Sequence, residues 1–163
     1  MVDPDAVPSR LRRRVTGYEL PLPLAVVYLV LDSDLAAEGH PNAIDLVHDG
    51  HDLDTAYATL RGGDFPEAGF VMVWIANLAD PRNPRLCPTG QTSVQLMGVV
   101  PAQHAWWGVV PGRGPTPRYE ARKRQVRDQF VRLAERSIPG LGEGIVHEET
   151  ATPTTSERFS LNP

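Results

Sequence analysis

Leu24-Ala25-Val26-Val27-Tyr28-Leu29-Val30-Leu31 decides the fold of this chain. The run is rich in β-branched residues and apolar at both alternating sets of positions, the pattern of a central strand. Phe70-Val71-Met72-Val73-Trp74-Ile75-Ala76 repeats that pattern, and residues 93–100 provide a third strong strand. Residues 42–48 and 144–150 add two shorter candidates. Between these runs Leu53, Ala56, Tyr57 and Leu60 fall at i, i+3, i+4 and i+7, so a helix there carries one apolar stripe toward a core. Asp52 can cap it and Gly62-Gly63 can stop it. Thr116-Pro117 begins a longer helix, whose buried stripe is Tyr119, Val126, Phe130, Leu133 and Ile138 and which ends at Pro139-Gly140. A short basic helix over residues 8–15 precedes the first strand, with Gly17 as its stop. Thr152-Pro153 opens a final turn in which Thr154 and Glu157 form a capping box.

Strands outnumber long helices, and their order is not a regular β-α-β alternation. The expected fold is therefore α+β: one domain over residues 1–163, with a mixed or antiparallel sheet of about five strands covered by two main helices, mainly on one face. The length suits a single core. A hydrophobic share of 41% and a charged share of 22% are those of an ordinary globular chain and exclude wholesale disorder. The net charge of −4 argues against nucleic acid as a partner. The longest apolar run, Leu24 to Leu31, is far short of the roughly 20 residues that span a bilayer. The single cysteine, Cys87, permits no internal disulfide, which fits a reducing cytoplasm. Sixteen prolines gather at the joints between elements and punctuate them.

The candidate sites are weak when read residue by residue. His48-Asp49-Gly50-His51-Asp52, with Asp54 nearby, has metal-ligand chemistry, but a polar strand-to-helix turn capped by Asp52 explains it better. Gly112-Arg113-Gly114 is followed by Pro115 and Pro117 rather than a third glycine, so it is a loop and not a dinucleotide turn. The arginines from Arg118 to Arg136 interleave with Glu120, Asp128 and Glu135, as on a solvated, salt-bridged helix face. Cys87 has no assigned histidine partner. Trp106-Trp107 reads either as core or as the wall of a ligand pocket. No complete catalytic or metal-binding set emerges.

Several segments together resemble the phytoene desaturase-like flavoproteins, a family of carotenoid desaturases, carotenoid isomerases and retinol saturases. These are Leu11-Arg12-Arg13-Arg14 ahead of a strand, Tyr28 to Asp32, Gly69 to Asn77, Asp80-Pro81, and the loop-to-strand stretch Pro88 to Gln95. Ile138-Pro139-Gly140-Leu141 and the stretch from His147 to Phe159 complete the set, the latter resembling the family's Thr-Pro-x-Thr…Arg-Phe segment. The resemblance covers nearly the whole chain but only the middle-to-late part of a family member. It implies the substrate domain of a flavin amine-oxidase-like fold. The parent enzyme would be an FAD-dependent oxidoreductase acting on carbon–carbon bonds of an apolar isoprenoid or carotenoid-like substrate.

On that basis Thr152, Pro153, Thr155 and Arg158 are expected to contact the cofactor, and Tyr28, Trp74, Trp106 and Trp107 the substrate. FAD itself is expected in the parent and not on this chain alone, whose flavin-binding part would come in cis or in trans. The chain alone is expected to be inactive. An apolar small molecule is the expected ligand, with peripheral membrane contact and self-association as further uses of an apolar face. Two other readings stand beside this one: an autonomous module that binds an apolar small molecule without redox activity, and a metal-dependent hydrolase built on His48 and His51.

Overall fold

A computed structural model describes residues 6–50, 52–109 and 115–160. Among these residues five strands are present: β1 (Leu24–Leu31), β2 (Ile44–His48), β3 (Phe70–Ile75), β4 (Thr92–Val99) and β5 (Ile145–Ala151). They form one sheet in the order β2-β3-β4-β1-β5, and every neighbouring pair is antiparallel. The helices are α1 (Ser9–Thr16), α2 (Leu53–Arg61), α3 (His104–Trp107), α4 (Pro117–Ala134) and α5 (Pro153–Ser160). The architecture is α+β, as expected, and the sheet is antiparallel throughout.

Local chemistry sets the helix ends. The Asp52 carboxylate accepts the Thr55 N–H at 2.9 Å and starts α2; the Thr116 hydroxyl accepts the Tyr119 N–H at 3.1 Å and starts α4, with Pro117 at the first helical position. The start of α5 differs from expectation. Thr152 and Thr155 bond reciprocally, the Thr155 N–H to the Thr152 carbonyl at 2.9 Å and the Thr152 N–H to the Thr155 hydroxyl at 3.1 Å. Glu157, expected in a capping box with Thr154, instead reaches His104 at 3.0 Å.

The core lies on one face of the sheet. Ala25, Val27, Leu29 and Leu31 of β1, Val71, Val73 and Ile75 of β3, and Val94 and Leu96 of β4 all point to it. Helix α4 lies over that face and closes it with Val126, Phe130 and Leu133. Gly98 makes this approach possible: a Cβ there would stand 2.5 Å from Phe130 Cζ. Of the two helices expected to cover the sheet, α4 does so, whereas α2 borders the sheet's end. Only Leu60 of the α2 stripe is buried; Leu53 and Tyr57 stay 49% and 43% exposed.

Two buried polar side chains fix the loops at the other end. Thr92 donates to the Ser33 carbonyl at 2.7 Å and accepts the Leu35 N–H at 3.1 Å. Asn77, in a 3-10 turn after β3, accepts the Ser93 N–H at 3.0 Å and donates to the Gln91 carbonyl at 3.3 Å. Both satisfy backbone groups that burial would otherwise leave without partners.

Candidate functional site

Strand side chains alternate, so the residues between the core positions share the opposite face. The ladder registers place them in rows. Ile44, Trp74, Gln95, Tyr28 and Glu149 form one row across all five strands. Leu46, Met72, Met97, Val26 and Ala151 form the next, and His48, Phe70, Val99 and Leu24 lie at the α2 end. Ser93, Val30 and His147 form the row at the other end. Among the described residues no helix covers this face as α4 covers the other. Leu46 is 68% exposed, Ile44 58%, Leu24 46% and Tyr28 42%; Trp74, Met72, Met97 and Val26 are half-buried against one another.

The face has a chemical gradient. Its interior is aliphatic and aromatic with two methionines, broken by the amide of Gln95. Its β5 edge is polar, with His147 3.8 Å from Glu149. Such a surface binds flat apolar groups by dispersion and water release, and methionine adapts to irregular shapes. Among the described residues of these rows no nucleophile is paired with a base.

Tyr28 and Trp74, expected to meet a substrate, do share this face and flank Gln95. Trp106 and Trp107 do not. They are 6% and 0% exposed and belong to the core beneath α4. Their rings meet edge-on at 4.8 Å, Arg122 lies 4.5 Å over Trp106, and the Trp107 indole N–H donates to the Pro101 carbonyl at 2.8 Å. The expectation that they line a ligand surface is corrected: α3 tucks both indoles against α4 on the far side of the sheet. Ile44, Leu46, Met72 and Met97, which the sequence does not single out, share this face as well. Their signal was present, since the alternating positions of the strands are apolar on both faces.

The segment expected to contact FAD is largely spent on the fold. Thr152 is fully buried, and its hydroxyl lies 2.8 Å from both Tyr119 Oη and Thr154 Oγ1. Thr155 holds the start of α5, Pro153 is its first residue, and exposed Arg158 lies 5.4 Å over the Phe159 ring. Thr154, Thr155, Arg158 and Phe159 border a recess of about 290 Å³ beside Tyr119. These residues do not by themselves fit a dinucleotide. Backbone N–H groups of a glycine-rich turn are the usual pyrophosphate partners, and among the described residues of this recess there is no such turn. The Gly112-Arg113-Gly114 segment lies outside the described residues.

The histidine-aspartate turn is structural where it is described; His51 lies outside the described residues. Among the described residues no group of three or more histidine, cysteine, aspartate or glutamate side chains is placed to hold a metal. Asp49 binds Arg132 at 2.5 Å and Arg136 at 3.3 Å, tying the β2–α2 turn to α4 and to the turn that follows it. The hydrogen bond from Arg132 holds the Asp49 carboxyl below its usual range, against a smaller opposing effect of burial. The arginines of α4 thus find distant partners as well as neighbours: Arg127 pairs with Glu148 as well as with Asp128. Burial pushes the Cys87 thiol up, which disfavours the reactive thiolate.

Because Asp49 has a lowered folded pKa, its contribution to stability is complete above the unfolded carboxyl value of about 3.9 and is lost as pH falls through the folded value. Asp49→Asn should cost up to about 1 kcal/mol at neutral pH, since Arg132 and Arg136 are more than half exposed and screened. The deficit should shrink below about pH 4 and in high salt. Urea titrations at pH 7 and pH 3 check this; a deficit unchanged by pH would exclude the ion pair as its source.

A comparison of the chain with models of known protein families finds no match, and neither does a comparison with curated proteins. Among the described residues, no helix is long and apolar enough to cross a membrane.

Proposed function

We propose that this chain is the substrate-facing wall of an FAD-dependent oxidoreductase that acts on carbon–carbon bonds of an apolar, isoprenoid-type substrate. The observation that supports this is the open apolar face running from Ile44 and Leu46 across to Tyr28 and Val26. A polyene has few polar handles, so it must be held by extended dry contact and by shape. Within each row, neighbouring strands set the side chains about 4.8 Å apart and give a continuous bed, with Tyr28 and Trp74 supplying flat aromatic surface on either side of Gln95.

When bound, a flavin supplies the hydride chemistry; this chain's residues bind the substrate, orient it and exclude water. The flavin-binding part is a separate region, in cis or in trans, and the compartment is the reducing cytoplasm. The same face would serve a free-standing apolar-ligand carrier, and binding of flavin by the wider assembly separates the two.

The test is a titration of the chain with all-trans-retinol as a fluorescent polyene, beside FAD. Saturable retinol binding is expected, weakened roughly tenfold or more by Met97→Lys, which places a charge in the middle of the bed. FAD should bind weakly or not at all to the chain alone. Retinol binding indifferent to Met97→Lys would remove the face from the site. Stoichiometric FAD on this chain alone would overturn the division of labour.

A further inference from the structure

We propose that a cavity beneath α2 is an end-recognition site, which takes one uncharged hydrocarbon ring or a branched hydrocarbon end of similar size. The proposal rests on the reading of the open face as the bed of an apolar ligand. The amphipathic stripe of α2 has only Leu60 fully packed. Between Ala56 and Tyr57 on α2, Phe70 and Val99 at the sheet's end, and Phe130 of α4 lies a space of about 210 Å³.

Three observations define its occupant. The first is size. An apolar cavity of about 150 Å³ is enough for benzene, whereas sites for whole drug-sized ligands start near 300 Å³. A space of about 210 Å³ therefore holds the end of a long ligand and not the whole of it.

The second is charge. Among the described residues Asp54 is the one charged residue in the lining, so the lining itself offers an incoming anion no cation. The nearby Gln129 amide is already used, donating to the Pro66 and Glu67 carbonyls at 2.9 and 2.6 Å. A carboxylate or phosphate entering here would lose its hydration and meet Asp54, so the group that enters is neutral.

The third is continuity. Phe70 and Val99 are walls of the cavity and also members of the open face, standing opposite His48 and Leu24 in the ladders. A chain lying over Met72 and Met97 runs directly to them. Four residues of strand separate the Gln95–Trp74 row from that end, on the order of 13 Å. Ala56 and Tyr57 then set how large an end group fits, with Arg61 lying over the Tyr57 ring at 5.9 Å and steadying it.

Toluene is the probe for the cavity and all-trans-retinol the probe for the bed. Toluene should raise the thermal midpoint of the full chain saturably and shift the NMR signals of the Ala56 methyl and the Phe70 ring. Ala56→Leu, which fills the space, should abolish the toluene effect and weaken retinol roughly tenfold or more. Leu46→Glu, on the open face away from α2, should weaken retinol and leave toluene binding intact. Tyr57→Trp narrows the same cavity from the other side and replaces Ala56→Leu if that variant does not fold.

Toluene binding retained in both cavity variants, or lost in Leu46→Glu, would overturn the assignment. No toluene binding with retinol binding intact would remove the cavity site alone. Toluene binding without retinol binding would instead remove the bed, and with it the role of the cavity as an end site.

Discussion

Truncation of Trp107 to alanine should lower folding stability by about 3–5 kcal/mol, a large part of the roughly 5–15 kcal/mol that holds a domain together. The indole is fully buried, packed edge-on to Trp106 and 6.2 Å from the Tyr119 ring. Its removal leaves a void under α4 and deprives the buried Pro101 carbonyl of its donor. Trp74→Ala is the contrast. That ring is half-buried on the open face, so its loss should cost stability nearer to about 1 kcal/mol while weakening retinol. Urea denaturation of both variants beside retinol titration separates a core aromatic from a ligand-facing one. If Trp107→Ala were as stable as the parent chain, the pair would have to be returned to the surface.

That contrast marks where reading the sequence succeeds. The β1, β3 and β4 runs declare themselves through β-branched and aromatic density, and the Asp52 and Thr116 caps through contacts no more than three residues apart. What cannot be read is which side of a doubly apolar strand is covered. Leu24 to Leu31 has the pattern of a strand buried on both faces, yet α4 covers only the Val27 and Leu29 side, leaving Tyr28 and Val26 toward the open one. Amphipathic alternation is the usual signal of a wet face, and an uncovered face that is apolar itself erases it.

Long-range pairing is equally hidden. Arg132 was expected to pair along its own helix, but its partner Asp49 lies 83 residues away. The adjacent indoles at 106 and 107 gave no sign of which way α3 would turn them. The apolar stripe on α2 is plain in the sequence, while its incomplete burial, which creates the cavity, depends on where the sheet ends.

Gly98→Ala should destabilise the chain by about 1–3 kcal/mol and also reduce toluene binding, although residue 98 is not on α2. Gly98 sits beside Ala25 in the ladder, and the two small residues leave a depression on the covered face into which the Phe130 ring descends. A methyl group at 98 would meet Phe130 Cζ at 2.5 Å and Cε1 at 2.9 Å, so the ring must move. The space available to it is the cavity that Phe130 already lines. The ring can occupy that space only by excluding the ligand, so one substitution couples the packing of α4 to the capacity of the end site. Ring movement cannot relieve the whole strain, because the Phe70 carbonyl, a backbone atom, stands 3.0 Å from the same methyl position. Urea denaturation and a toluene titration of Gly98→Ala read the two consequences separately. A variant that lost stability yet bound toluene as before would show that Phe130 yields in another direction, and would leave Ala56 and Tyr57 as the sole gauge of the cavity.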